Sequence, residues 1–362
     1  MTEITGTAAS DEGAESVRMI RDSVAAVVPP GRGLQRIRAL RFHGTGYDPA
    51  VYRQMGEFGW IGLLVPELQG GSGLGMREFC ALCEELGAGL VPEPLIPATI
   101  SAALLSDGGQ PDLLAEVVAG RRVLLTAWQE APDTLTVVGS EEMARVFVPF
   151  ATGADGFLVP VCRAGGLTLF LCEAEAVERS TLQTQDGGHY GTLRGSFADG
   201  TPLQHNVGAA LEQALERAVL ATSAYLLGVM EAAFAMTLDY LKSRSQFGRP
   251  IGSFQSLQHR AADLKIQVDL TRASVESAAA ALDAGASGAA RALAVSRAKA
   301  RAADAALVVT RQAIQLHGGI GYTDEYDVGL YLRKAMVLAN QYGSARLHRQ
   351  RFMAVSPEGD DE

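Results

Sequence analysis

The chain has 362 residues, a formal charge of −10, 48% hydrophobic residues and a mean hydropathy of +0.10. That length exceeds what one hydrophobic core usually organises, so two or three subdomains are expected, and the apolar content excludes disorder for most of the chain. The acidic balance repels nucleic acid and anionic membranes and argues against both as nonspecific partners.

The opening segment, MTEITGTAASDEGAESVR, carries acids and no apolar core, unlike a secretory signal. No run of about 18 strongly apolar residues is expected to span a membrane, so the chain reads as cytoplasmic. Residues 1–118 read as a helical domain. Asp48 before Pro49 starts a helix, since the carboxylate can cap it and the proline takes a position whose N–H lacks a partner. That helix ends near Gly56–Gly59, GLLVPELQGGSGLG forms a loop, and the Pro-rich VPEPLIP (91–97) interrupts the next helical stretch. Cys80 and Cys83 form a C-x-x-C in MREFCALCEEL, where Phe79, Leu82, Cys83 and Leu86 follow helical spacing. Without a second ligand pair they are expected to pack as small hydrophobes.

Residues 119–205 change character. RVLLTAW, ARVFVPF, GFLVPV and LTLFLCE are short, rich in Val, Leu and Phe, and separated by Gly and acidic clusters, as antiparallel strands of a small sandwich or barrel would be. No strand–helix alternation marks a parallel dinucleotide-binding sheet. Within 206–362 helical periodicity returns: Leu211, Leu215, Val219, Leu226 and Val229 mark a first helix running to about Lys242, and further helices are expected over 255–283, 288–315 and 328–350. Four long helices suggest a bundle, giving an α+β chain of helical domain, β-domain and four-helix bundle. SPEGDDE (356–362) reads as a disordered acidic tail.

Two C-terminal segments carry chemistry: RSQFGRPIGSFQSLQHRAADL (244–264) and QLHGGIGYTDEY (315–326). Arg244 and Gln246 stand at the end of one helix and Gln315, Gly318 and Gly319 at the end of another. An Arg offers bidentate charge to phosphate oxygens, and Gly-Gly lets a backbone approach a bulky ligand, so together they could hold a pyrophosphate. Taken singly, a Gly-Gly is a helix stop and an Arg a surface charge. His317 reads as a helix-end hydrogen-bonding residue, and His259 as packed or interfacial.

On these motifs, with FGWIGLLVPELQGGSGLG, EELG and FVPFATGADGFLV in the same order, the chain resembles the acyl-CoA dehydrogenase family over roughly residues 15–350. The resemblance implies a helical N-terminal domain, a middle β-domain, an oligomerising C-terminal bundle, FAD, and an acyl-CoA thioester substrate. It implies that Arg244, Gln246, Phe247, Gln315, Gly318 and Gly319 grip the pyrophosphate and adenosine end of FAD seated in the neighbouring chain. In the family a Glu removes the proton beside the thioester carbonyl while the flavin accepts hydride from the next carbon. Commonly that Glu lies 27 residues past the motif Gln; from Gln315 this reaches Tyr342, followed by Gly343 and Ser344. With a phenol pKa near ~10, about one Tyr in a thousand is ionised at neutral pH, a handicap of roughly 4–5 kcal/mol for a base. The alternative position on the first bundle helix aligns with Ala218. Glu216, two residues away and ~200° around the helix, is expected to face elsewhere as a solvated acid and remains the weak candidate base.

The middle region also departs from the family pattern. TAWQEAPDTLTVVGSEE lacks the Gly-Ser-Asp loop, and Phe147-Val148-Pro149 replaces Trp-Ile-Thr. The resemblance therefore implies a division of labour. The chain would be the non-catalytic subunit of a heteromeric, α2β2 acyl-CoA dehydrogenase acting on bulky acyl groups such as steroid side chains, with an electron-transfer flavoprotein or similar acceptor. Its rivals are an autonomous homotetrameric dehydrogenase or flavin monooxygenase on the same scaffold, and a cofactor-free structural subunit.

Overall fold

The computed structural model describes residues 4–29, 31 and 33–356, and its first part is helical. α1 (Ile4–Ser23), α2 (Gln35–Leu40), α3 (Pro49–Glu57), α4 (Met76–Ala88), α5 (Leu95–Asp107) and α6 (Pro111–Val118) follow one another. The Asp48 carboxylate accepts from the Ala50 N–H at 2.9 Å and caps α3, with Pro49 at its first position. Cys80 and Cys83 lie buried on the core face of α4, where burial pushes both thiols up.

β1 (Leu124–Thr126), β2 (Arg145–Pro149), β3 (Gly156–Arg163), β4 (Gly166–Glu173), β5 (Glu178–Gln183), β6 (His189–Arg194) and β7 (Thr201–Gln204) make two sheets, ordered β1-β3-β4-β7 and β2-β6-β5. The expectation of antiparallel strands needs one correction: β1 pairs β3 in parallel, Leu124 opposite Gly156. The chain leaves β1, enters the other sheet as β2 and returns to β3 in the same direction, so the connection crosses over. Glu130 organises the loop that makes this crossing. Its carboxylate accepts from the Val138, Gly139 and Ser140 N–H groups and pairs with the buried Arg145 at 3.0 Å.

The C-terminal part holds α7 (Gly208–Ser243), a hairpin of β8 (Ser245–Gln246) and β9 (Arg249–Pro250), α8 (Gln255–Asp283), α9 (Gly288–His317), α10 (Val328–Leu338) and α11 (Ala345–Val355). The single helix expected over 328–350 is therefore two. The chain turns at Tyr342 (φ 56°) and Gly343 (φ 101°), and the Ser344 hydroxyl restarts it by accepting from the Leu347 N–H. Buried side chains take up the carbonyls that the break releases: Lys299 Nζ donates to the Leu338 oxygen at 2.6 Å, and His348 Nε2 lies 2.9 Å from the Tyr342 oxygen.

α7 is the axis of the core. It contains an apolar stretch long enough to cross a membrane, with mean hydropathy 1.6, contrary to the expectation that no such run exists; 83% of that stretch is buried inside the protein. Glycines let α4 reach its backbone: a Cβ on Gly228 would stand 1.8 Å from the Glu84 oxygen, and one on Gly87 2.1 Å from the Tyr225 oxygen. The acidic tail expected at 356–362 lies, beyond Ser356, outside the described residues.

Candidate functional site

Two clefts gather the residues of interest, and they share no wall. The first lies between α5, the sheets and the α10–α11 turn, with an outer lobe of about 410 Å³ and a narrow inner lobe of about 70 Å³. Tyr342 is a wall of the outer lobe. It is 5% exposed, and burial pushes its phenol above its usual range, against a smaller opposing hydrogen bond from Gln341.

Among the described lining residues of the outer lobe the one carboxylate is Asp133, which sequence reasoning did not single out. It accepts from the Ser344 N–H at 2.9 Å, the Ser344 hydroxyl at 3.0 Å and Arg346 at 2.8 Å. Burial opposes ionisation of Asp133, but these donors outweigh it and hold the carboxyl below the usual range. Such a group is a weak proton acceptor.

The wall also carries Thr126, Phe147, Pro149 and Tyr190. Pro149 has no N–H, and the Thr126 hydroxyl is engaged with Ser101 at 2.9 Å. Phe147 stacks edge-on against Tyr190. In the inner lobe Lys334 pairs with Asp186 at 2.5 Å, both nearly enclosed. Burial disfavours the Asp186 carboxylate, yet the adjacent ammonium holds its pKa below the ordinary value.

Thr222 and Tyr225 of α7 face the inner lobe, and Ala218, one turn earlier, is buried on the same side. Glu216 lies on another face of α7, as its helical phase requires. It is not a solvated acid: it is 1% exposed and clamped by Arg291 and Arg351, and it lines a separate hollow beside α11. Both its oxygens are occupied by guanidiniums, away from the first cleft.

The second cleft, about 680 Å³ and open, brings together Arg244, Gln246, Phe247, Gln315, Gly318 and Gly319. α7 ends at Arg244, the β8–β9 hairpin carries Gln246 and Phe247 outward, and α9 ends at Gly318. Phe247 is 90% exposed at φ 53°. A Cβ on Gly318 or Gly319 would meet nothing within 4 Å, so both present open backbone to the cleft. Arg260 of α8, absent from the sequence expectation, adds a second guanidinium.

His317 donates through Nδ1 to the Ala313 oxygen at 2.7 Å, as a helix-end residue would, while its buried Nε2 has no partner among the described residues. Burial lowers its pKa, so the imidazole stays neutral and can accept a hydrogen bond. Two guanidiniums, an open Gly-Gly and an orphaned acceptor fit the diphosphate and nucleoside of a dinucleotide. His259, on α8, is exposed.

Residues 12–119 match the family model described as acyl-CoA dehydrogenase, N-terminal domain, and residues 208–355 that of the C-terminal domain. The chain is 31% identical to acyl-CoA dehydrogenase IpdE2 of Mycolicibacterium smegmatis over 94% of this chain and 98% of that protein. Among solved structures it superposes on a variant of the Tcur3481–Tcur3483 steroid ACAD with a TM-score of 0.85 and 29% identity, covering 97% of this chain and all of that one. On the ChsE4–ChsE5 complex from Mycobacterium tuberculosis the TM-score is 0.82 at 27% identity, with 96% and 98% covered.

Proposed function

The chain belongs to the acyl-CoA dehydrogenase family, and from that premise we propose that it is the non-catalytic subunit of a heteromeric enzyme, completing the FAD site of a companion subunit that carries the catalytic Glu. The observation that carries this reading is the contrast between the two clefts. The second presents Arg244, unpaired among the described residues, and open Gly318 and Gly319 at the surface, where a neighbour's cofactor can reach them. In the first, the carboxylates of Asp133, Glu93 and Asp186 are each paired with a cation, Arg346, Arg36 and Lys334 respectively.

In the companion's site FAD supplies the hydride acceptor for α,β-dehydrogenation of an acyl-CoA thioester. This chain's part would be electrostatic and positional: Arg244 and Arg260 would neutralise a diphosphate, Gln246 and Gln315 would offer amide hydrogen bonds, and Phe247 would supply an apolar face for the nucleoside. Two solved relatives are named as two-component assemblies, one of them a steroid ACAD, which supports an unlike partner and a bulky acyl group. Electrons would leave to an electron-transfer flavoprotein or similar acceptor. A cofactor-free structural role does not account for two guanidiniums, unpaired among the described residues, beside an open Gly-Gly, and an autonomous dehydrogenase would need a base that the ion-paired carboxylates of the first cleft do not supply.

Purifying the chain alone and with candidate companions tests the reading. FAD and dehydrogenase activity are expected only in the mixed assembly. Full activity with stoichiometric FAD in the chain alone would overturn it.

A further inference from the structure

The outer lobe of the first cleft is not accounted for by the role proposed above. Its size lies within the range of small-molecule sites. Trp128, Phe147, Tyr190 and Tyr342 give it aromatic walls, and Pro97 and Pro149 add flat apolar faces. The polar groups on its wall include the neutral amides of Gln129, Asn340 and Gln341, and the one carboxylate, Asp133, is neutralised by Arg346.

The backbone around it is held against local preference. Of the eight non-glycine residues with positive φ among the described residues, Asp133, Phe147 and Tyr342 line the outer lobe and Phe150 the inner one. Strain of this kind collects where surrounding structure fixes a site.

We propose that this lobe is a non-catalytic binding site for an uncharged, flat, fused-ring molecule. Charge complementarity selects the class, because among the described residues no unpaired ion lines the lobe and an anionic or cationic ligand would lose its hydration without compensation. Facing aromatic and proline surfaces suit planar rings. A flavin ring carries several more polar atoms than such a molecule and finds no donor at Pro149. The proposal shares with the preceding one only the pairing of Asp133 with Arg346, and it stands whether or not the second cleft serves a companion.

Three tricyclic probes test it by isothermal titration calorimetry on the full chain: 9-fluorenone, its 2-carboxylate, and lumiflavin. Saturable binding of 9-fluorenone at one site per chain is expected, with the carboxylate and lumiflavin each weaker by about tenfold or more. Asn340→Trp, at an exposed position on the rim, should weaken 9-fluorenone by about tenfold by filling the mouth, with its thermal melt confirming the fold. Arg244→Ala should leave binding unchanged. Absence of 9-fluorenone binding up to its solubility limit, indifference to Asn340→Trp in a folded variant, or equal binding of lumiflavin would overturn the proposal. FAD content of the mixed assembly reads the other cleft separately, so the two readings fail independently.

Discussion

Tyr342 stands at a left-handed backbone position with its phenol enclosed by the outer lobe, and its neighbours matter as much as its own chemistry. Tyr342→Glu would restore a carboxylate where the family resemblance expects one. It should nevertheless give no dehydrogenase activity in the chain alone with added FAD, because Pro149 and the engaged Thr126 still leave the ring poorly held. A dye-coupled assay reads this, and turnover above background would show that the cleft does hold flavin. Beneath the same turn, Lys299 is fully buried and burial lowers its pKa to about 7. In the unfolded chain it titrates near ~10.4, so between about pH 7 and 10 the unfolded state binds more protons and stability rises with pH. The stability of the native protein relative to Lys299→Met should therefore climb by about 2 kcal/mol in all from pH 7 to 9. Denaturation at the two pH values tests this, and a constant difference would mean that the ammonium is solvated. His348, lowered by burial to about 4, has the same sign at lower pH: its contribution falls as pH drops from ~6.5 towards that value.

At the scale of elements, the contact of α4 with α7 depends on glycine. Gly228→Ala would place a Cβ 1.8 Å from the Glu84 oxygen and 2.8 Å from the Ala88 nitrogen, both backbone atoms that cannot rotate away. The helices must part, at a cost of about 3 kcal/mol in urea denaturation; a loss below ~1 kcal/mol would show that the two backbones do not touch there. The sequence made the long helices and the Asp48–Pro49 start legible because their signals are local: apolar spacing and a cap. Three features stayed hidden because their causes are not local. β5, ERSTLQ, is exposed along its whole length and shows no apolar alternation, so only its pairing with β6 makes it a strand. The parallel β1–β3 pair depends on a crossing between sheets. The break between α10 and α11 is supported by Lys299 and His348, and Lys299 lies far away in sequence on α9.

Across the whole molecule, the six residues read from the two C-terminal motifs converge on one cleft although two helices separate them in sequence. That convergence was legible because each motif sits at a helix end, where side chains project past the bundle. Asp133 was not, since nothing around it marks it in one dimension, and Arg260, though inside the segment 244–264, was not distinguished from its exposed neighbours; each acquires meaning from its position, Asp133 bonded to Ser344 and Arg260 lining one cleft with Arg244. Gly319→Val tests the open backbone of that cleft: with nothing within 4 Å of the new Cβ, the melt should stay within about 0.5 kcal/mol of the native protein, while FAD retention by the mixed assembly falls. Loss of stability without loss of FAD would make Gly319 a folding residue only.

The most direct measurement is the ratio of FAD to protein in the assembly purified with its companion, for the native chain and for Arg244→Ala. One FAD per pair of unlike chains is expected, with weakened retention when the guanidinium of this chain is removed. One FAD on every chain, or a ratio indifferent to Arg244→Ala, would contradict a subunit whose role is to complete its neighbour's site.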